Sequence, residues 1–437
     1  MNTLAVPQHY TDLLSTVLAA SARRGEPGWR GEQRQAAFAR LQESGFPTQR
    51  SEEWKYTNLR PLLGAVFTVP RGESAPDVRH LLPRRLEDES EIIFIDGRLA
   101  PEHSRYDRIA GLHVTTLDAG LCNGEQARLR ARLAPQPGDD GPFVALNRAM
   151  SDCGVHIRIE RGAVIASRVH LLFLTTGLQP QVMVSPRVLI DIEPQAEVRF
   201  VQSHTGHPGA ASFTNVVTDI DVGEGAQVLH IKVQTEAPDT FHCSTLRCRQ
   251  AAHSVVRLFD LSLGGKLARN DVVAGIDGEG AELHLDGLYA LKGRQHVDHH
   301  TTIDHRVPRG TSRQVYKGIL DDQARVVFNG KVLVRPGAKL TDGYQINQNL
   351  LLSRGATVNT KPQLEIENDD VKCTHGATIG QLDDAQRFYV QSRGISPADA
   401  EAMLARGFVE DVLYRIQDKA LQVNLRSLLD GYFVKVG

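Results

Sequence analysis

A thiol and an imidazole lie two residues apart near the carboxyl end of the chain, at Cys373 and His375. The alternating run Leu364–Glu367 before them predicts a strand with one packed and one solvated face, and Asn368–Asp370 predicts a turn. In a second strand Cys373 and His375 would leave the sheet on the same face. Such a pair can bind iron, zinc or copper. A buried cysteine beside a hydrogen-bonded histidine is the bland alternative, and spacing alone leaves it open.

A second dense group of ligand-type residues lies between His296 and His305. If this stretch is a strand, one face would carry His296, Asp298, His300 and Asp304. The other face would carry Val297, His299, Ile303 and His305. Three or four of them could bind zinc or iron. Alternation divides the histidines between the faces, which favours a polar ladder on the flank of a sheet. Cys243 and Cys248 would likewise fall on opposite faces, which argues against a metal ion shared by the two thiols. We expect both side chains to lie in the core.

Composition narrows the class of protein. The 437 residues include 50 basic and 52 acidic side chains, so the formal charge of −2 indicates neither a nucleic-acid nor a membrane partner. No apolar run approaches the ~18–20 residues of a membrane helix, and the amino terminus lacks a signal-peptide pattern. The five cysteines have no C-x-x-C spacing, which is typical of a reducing compartment: Cys122, Cys153, Cys243, Cys248 and Cys373. We expect a cytoplasmic protein.

Helical and mixed patterns occupy the first 154 residues. Helices are predicted at Tyr10–Arg24 and Gly31–Ser44, and Arg50–Leu63 predicts an amphipathic segment that docks its aromatic side chains on the next domain. We assign 1–90 to a helical region and 91–154 to a small α/β connecting region. The connecting region ends in a Pro/Gly/Asp-rich loop, Pro135–Pro142.

Short alternating apolar runs replace helical periods across 155–382. Gly-Ala pairs recur at 162, 225, 280, 337, 355 and 376, and the last two gaps are 18 and 21 residues. A period near 20 with short strands predicts a β-helix of stacked coils. A β-sandwich also has short strands at regular spacing and stays open on pattern alone.

Helical signals return in 383–437, where Ser396 and Pro397 form an N-cap with proline at the first helical position. These helices carry more apolar residues than a short appendage can bury. Some should therefore face the β-domain or a partner. The residues concerned are Leu404, Phe408, Val412, Leu413, Ile416 and Leu421.

Two distant motifs carry a family resemblance. The carboxy-terminal stretches Lys361-Pro-Gln-Leu-Glu-Ile366, Asp369-Asp-Val-Lys-Cys-Thr-His-Gly-Ala-Thr-Ile-Gly380 and Phe388-Tyr-Val-Gln-Ser-Arg-Gly-Ile395 resemble the signature of the SufD family. Arg50-Ser-Glu-Glu-Trp-Lys-Tyr-Thr57 resembles the amino-terminal signature of the same family. SufD proteins are scaffold subunits of the SUF iron–sulfur cluster assembly system. The resemblance covers nearly the whole chain and implies a mainly-β fold, with a right-handed parallel β-helix core flanked by α-helical regions at both ends.

The resemblance also implies partners. A SufB-like subunit would pair with the core and a SufC-like ATPase would dock on helices of about 396–430, through Leu404, Phe408, Val412, Leu413 and Ile416. Cys373 and His375 would lie near the SufB contact. Two protein ligands cannot supply the usual four thiolates of a cluster, so a transient cluster there must be shared with the partner. The family complex is also linked to reduced flavin, for which this chain has no motif.

Departures from the SufB pattern indicate a supporting subunit. Asn349 and Gly376 occupy the positions where that pattern has a cysteine and a glutamate. Two ligand-type groups are therefore missing, so we expect a partner that supports the cluster site and does not itself first accept sulfur. The exposed edge of a solenoid further predicts a homodimer when SufB is absent.

Enzyme motifs are absent from the sequence. It contains no G-x-x-x-x-G-K-[ST], G-x-S-x-G or H-E-x-x-H. We therefore expect a non-catalytic scaffold without an intrinsic cofactor. The alternative is a polysaccharide-binding or polysaccharide-degrading β-helix, since Glu365 and Glu367 share a face. Aromatic residues make up only 6% of the chain and none cluster near these two.

Overall fold

The structure is a computed structural model. It describes residues 3–70, 78, 81–82, 88–106, 109–121, 125–135, 141–151, 153–179, 181–207, 209 and 211–433. Cys122 and most of the predicted loop Pro135–Pro142 lie outside the described residues.

Strands dominate the middle of the chain. In chain order they are β1 Thr3–Leu4, β2 Phe46–Pro47, β3 Glu89–Ile95, β4 Arg98–Leu99, β5 Leu112–Thr116, β6 Cys153–Ile159, β7 Arg168–Thr175, β8 Val182–Val184, β9 Pro186–Ile192, β10 Glu197–Gly206, β11 Ser212–Val222, β12 Gln227–Thr235, β13 Phe241–Gln250, β14 Val255–Ser262, β15 Leu267–Ile276, β16 Glu282–Leu291, β17 His296–His305, β18 Thr311–Leu320, β19 Arg325–Val334, β20 Asp342–Leu351, β21 Thr357–Ile366 and β22 Lys372–Gln381. Helices lie at both ends. They are α1 Gln8–Arg23, α2 Gly28–Ser44, α3 Arg60–Leu63, α4 Leu117–Leu121, α5 Gln126–Leu133, α6 Pro142–Met150, α7 Asp384–Gln391, α8 Pro397–Tyr414 and α9 Lys419–Phe433, with a 3-10 turn at Glu52–Trp54.

Successive strands from β9 onward alternate between two sheets, and each strand pairs in parallel with the strand two positions further on. One sheet has the order β22-β20-β18-β16-β14-β12-β10-β7-β3-β4 and the other β21-β19-β17-β15-β13-β11-β9-β6-β5. Two strands and their turns therefore make one coil of a parallel β-helix. The predicted mainly-β fold with flanking helices is confirmed, and the β-sandwich alternative is wrong.

The predicted period near 20 is corrected. Lys232 and Asp260 occupy equivalent places 28 residues apart, and Gln314 and Gln345 are 31 apart, so one full coil takes about thirty residues. Gly-Ala pairs misled the count because most mark turns on one side of a coil, whereas Gly376 lies inside β22.

Alternation gives the solenoid apolar columns at some inward-facing positions and polar columns, such as Gln314 and Gln345, at others. In register, equivalent core positions stack directly upon one another, as in the series Val198, Val228, Val256 and Leu283. The opposite sheet contributes the series Ile190, Ile220, Cys248 and Ala274. The predicted core positions of Cys243 and Cys248 are confirmed, since both are buried.

Each sheet also buries part of its outer face. The amino-terminal helices and α6 pack outside β11 and β13 in a cluster that includes Tyr10, Phe38 and Phe143. Helices α8 and α9 cover the other sheet, where Val412 and Leu425 pack among apolar residues of the strands. β3 and β5, from the predicted connecting region, extend the two sheets. None of the described helices has the length and apolarity needed to cross a membrane.

Candidate functional site

The solenoid ends in a coil that is paired on one side only. β22 pairs with β20 and β21 pairs with β19, and no described strand pairs with the outer edge of either. β18 and β20 are largely buried, whereas β22 is mostly exposed. The inward-facing side chains of this last coil are therefore uncovered.

Cys373 lies on the inner face of this last coil, half-buried against the core. It stands in register with Gly343, where an added Cβ would lie 3.2 Å from the Cys373 sulfur. The glycine thus leaves room for the thiol. Burial raises the pKa of Cys373, so the thiol is protonated at neutral pH. To bind a metal ion, the thiol would have to lose this proton.

His375 occupies the next inward position and is exposed. It stacks on Gln345, which is buried and donates a hydrogen bond from Nε2 to Gln314 Oε1 at 2.6 Å. This inward position is therefore buried one coil earlier, at Gln345, whereas it is exposed to solvent at His375. The predicted pair lies on one face, at the mouth of the solenoid, and offers at most two ligands.

The carboxy-terminal candidates divide into buried and accessible positions. Val412, Leu413 and Ile416 are buried between α8 and the sheet, and Phe408 packs partly against the same core. The prediction that these three bind a partner directly needs correction, because they stabilise the attachment of α8 to its own solenoid. Leu404 is half-buried. The exposed apolar residues of α8 and α9 are Met403, Tyr414, Val423 and Leu428.

The histidine-rich stretch is a strand, β17, and its outer face receives the amino-terminal segment. Thr57 Oγ1 lies 2.9 Å from His296 Nε2 and donates a hydrogen bond to Asp298. His300 bridges two carboxylates, with Nε2 3.0 Å from Asp298 Oδ1 and Nδ1 2.9 Å from Glu53 Oε2. On this outer face, the ring nitrogens of His300, Nε2 of His296 and the Asp298 carboxylate thus contact protein groups, which favours the polar-ladder interpretation over a metal site.

Arg269 completes this docking surface. Its guanidinium lies 4.2 Å from the Trp54 ring centroid and donates to Asp298 Oδ2 and to the Glu53 carbonyl, at 2.8 and 2.9 Å. Burial alone would raise the pKa of Asp298, but the Arg269 charge and the hydrogen bonds from His300 and Thr57 lower it. Asp298 therefore stays ionised although it is buried. The predicted docking of Arg50–Leu63 through its aromatics holds for Trp54, whereas Tyr56 is exposed.

Sequence reasoning missed one buried group in the solenoid interior. His204, Glu236 and His242 each place a ligand atom within 4.8 Å of the others. They come from three segments of the chain, and no short motif links them. Only the coil geometry could reveal the group.

The structure is thus a parallel β-solenoid with a thiol and an imidazole on the inner face of its last coil. Comparison with known proteins gives the family. The model for the "SUF system FeS cluster assembly, SufBD core domain" matches residues 173–408, and that for the "SufBD protein N-terminal region" matches 6–79. The chain belongs to the SufB/SufD family of iron–sulfur cluster assembly proteins.

Proteins named SufD, SufB and SufBD are similar to this chain over most of its length. An iron–sulfur cluster assembly SufBD family protein of Synechocystis is 36% identical over 407 residues, covering 90% of this chain and 89% of the relative. SufD of Escherichia coli is 32% identical over 397 residues, covering 90% of each chain. SufB of Bacillus subtilis is 25% identical over 392 residues, covering 88% of this chain and 81% of the relative. The identity to this SufD is higher than the identity to this SufB over a similar length.

Proposed function

We propose that this chain is a non-catalytic, SufD-like scaffold subunit that holds one side of a nascent iron–sulfur cluster. One observation carries the proposal. Cys373 and His375 lie together on the uncovered inner face of the last coil, beside two unpaired strand edges. Family membership supplies the cargo, since the family-model description names FeS cluster assembly.

The last coil suits a partner with the same architecture. Unpaired parallel edges recruit further strands, and uncovered solenoid ends need a cap. Ile366 and Ile379 expose apolar surface at this end, with Ile379 50% accessible. A SufB-like chain is the expected partner, because the similarity to SufB spans most of this chain. Strand pairing would bring its ligands to Cys373 and His375.

The number of protein ligands implies that a cluster would be shared between two chains. A cluster usually takes four protein ligands, and this chain offers one thiol and one imidazole at the last coil. The remaining ligands would come from the SufB-like subunit. The cluster would therefore be cargo held between two chains, and separation of the chains would release it.

A SufC-like ATPase would contact the outer surface of the carboxy-terminal helices. Met403, Tyr414 and Val423 are exposed there, on helices that the buried residues of α8 and α9 fix to the sheet. ATP-driven movement of this surface would reach the last coil through the solenoid, because α8 packs on β16 and β18 in the same sheet as β22.

The partner proposal can be tested by substitution at the solenoid end. Ile379→Asp places a charge on the uncovered end, and we expect it to abolish co-purification with a SufB-like subunit while leaving the fold intact. Val164→Asp is the matched control, because Val164 is also exposed, at 67%, far from the last coil. Equal recovery of SufB with both variants would refute pairing through this end.

The cluster proposal can be tested with His375→Ala in the assembled complex. We expect at least a tenfold slower cluster formation, measured by anaerobic reconstitution and visible absorption, with subunit assembly unchanged. Thr374→Ala is the control, since Thr374 is exposed on the opposite face of β22. An unimpaired His375→Ala complex would leave this chain with a purely architectural role.

A further inference from the structure

Three ligand-type side chains meet inside the solenoid, far along the chain from Cys373 and His375. His204 belongs to β10, Glu236 follows β12 and His242 belongs to β13, so the group joins both sheets. Their exposed fractions are 1%, 4% and 0%. One atom of each lies within 4.8 Å of the other two, which a single ion could bridge.

Two nitrogens in this group have no partner among the described residues. They are Nδ1 of His204 and Nε2 of His242. His242 Nδ1 lies 2.8 Å from Glu236 Oε2, although the contact does not have hydrogen-bond geometry. A buried polar atom without a partner destabilises the folded state. An ion bound to these nitrogens would remove that destabilisation.

Neighbouring side chains contact two of the three candidate ligands, Glu236 and His204, as outer-shell partners do in metal sites. Thr214 Oγ1 donates to Glu236 Oε1 at 2.6 Å, and Gln234 Nε2 donates to Glu236 Oε2 at 3.0 Å. Gln202 Nε2 lies 3.0 Å from His204 Nε2, and Gln202 Oε1 contacts Thr218 and His230. Metal binding through His204 Nδ1 requires the opposite amide orientation, in which Gln202 Oε1 accepts the hydrogen bond from His204 Nε2.

The local charge also calls for a cation. Lys232 Nζ pairs with Asp260 Oδ2 at 3.2 Å, so these two charges cancel. Among the described residues, no Lys or Arg side chain pairs with the buried Glu236 carboxylate, whose one close ion-pair contact is His242. Buried carboxylates are normally paired with a cation or bound to a metal.

We propose that His204, Glu236 and His242 bind one divalent first-row transition-metal ion of the zinc or iron(II) class. Two imidazoles and one carboxylate suit such borderline ions. The ion ties β10 and the β12–β13 connection together across the solenoid. It is a resident structural ion, separate from any cargo at the last coil.

The test measures metal content in the full chain. Cys373→Ser/His375→Ala provides the background, so that metal at the last coil cannot contribute. The protein is refolded with excess Zn²⁺, or anaerobically with Fe²⁺ or Co²⁺, and desalted before elemental analysis. We expect about one ion per chain, and ligand-field absorption bands with Co²⁺.

His204→Gln/His242→Gln should lower the bound metal at least tenfold. His299→Gln is the matched control, because His299 is also a fully buried interior histidine whose two nitrogens lack partners among the described residues, and it has no place in the group. If the double variant fails to fold, Glu236→Gln replaces it, since the amide keeps the shape of the carboxylate. We expect tenfold or greater loss there as well.

Two results would overturn the proposal. One is refolded background protein with less than a tenth of an equivalent of each of the three metals. The other is metal retained by the Glu236 and histidine variants at the level of His299→Gln, which would mean adventitious binding. A cluster-assembly defect in the last-coil variants bears on the proposed function alone, so the two hypotheses fail separately.

Discussion

At the scale of single residues, His300 connects two parts of the chain that are far apart in sequence. It binds Asp298 on its own strand and Glu53 of the amino-terminal segment. Burial would lower the pKa of His300, but the hydrogen bonds to Asp298 and Glu53 outweigh burial and raise it. Arg269 opposes the shift from the same surface. The protonated imidazole is therefore part of what holds the segment on the solenoid.

The sign of this shift predicts a pH dependence. Because the folded pKa of His300 lies above the unfolded value of about 6.5, its stabilisation is complete below pH 6.5 and is lost as the pH rises through the folded pKa. We expect a loss of roughly 0.5–1 kcal/mol, reduced by the exposure of Glu53. The measurement is urea unfolding at pH 6 and pH 8.5.

His300→Gln serves as the reference for that experiment. Other buried histidines have lowered pKa values and titrate with the opposite sign, so the difference between wild type and variant isolates His300. That difference should shrink towards high pH. A difference that is constant with pH would show that folding does not raise the pKa of His300.

At the scale of elements, the segment 50–57 is a strap that docks on the solenoid through Trp54 as well as through the polar contacts of Glu53 and Thr57. Trp54 is 7% exposed, lies 5.5 Å from the Phe143 ring and carries Arg269 on its face. We expect Trp54→Ala to destabilise the chain by about 3–5 kcal/mol, as for other buried aromatics. Thermal or urea unfolding would measure this loss.

Tyr56 gives the matched control two residues away. It is 45% exposed, so Tyr56→Ala should change stability by about 0.5 kcal/mol or less. Similar losses for the two variants would contradict the docking role of Trp54. They would also mean that the strap is fixed by its backbone and ion pairs.

The carboxy-terminal helices separate stability from partner binding. Leu413 is buried against the sheet, so Leu413→Ala should cost about 2–5 kcal/mol of stability. Tyr414, its neighbour, is exposed, and Tyr414→Asp should weaken SufC co-purification with little change in stability. Retained SufC with Tyr414→Asp, Met403→Asp and Val423→Asp together would exclude this surface. Deleting 396–437 is a poorer test, because it uncovers the apolar sheet beneath α8.

At the scale of the whole molecule, no described strand pairs with the outer edges of β21 and β22. We propose that these edges pair with a second copy of the chain when no SufB-like subunit is present. We expect concentration-dependent dimers in sedimentation velocity, at micromolar protein. Ile379→Asp should give monomers, whereas Val164→Asp should not. Dimers that persist in Ile379→Asp would place self-association on another surface.

Sequence patterns predicted the fold class because the solenoid repeats a local rule. Every coil needs alternating inward and outward residues, and runs such as Val155-His-Ile-Arg-Ile159 show that alternation directly. The coil length could not be predicted in the same way. Turns of variable length separate the strands, so the Gly-Ala spacing did not equal the coil.

The sequence by itself determined the short-stranded β-region, the flanking helices and the shared face of Cys373 and His375, because these depend on residues close together in the chain. The preference for a β-helix over a β-sandwich also drew on the family resemblance. Only the tertiary structure decided which polar residues meet. Glu53 contacts His300, and His204 lies close to His242, since parallel coils bring residues from separate strands together. The structure also decided that Val412 is buried against its own sheet. Those contacts depend on the register between coils, which no local pattern records.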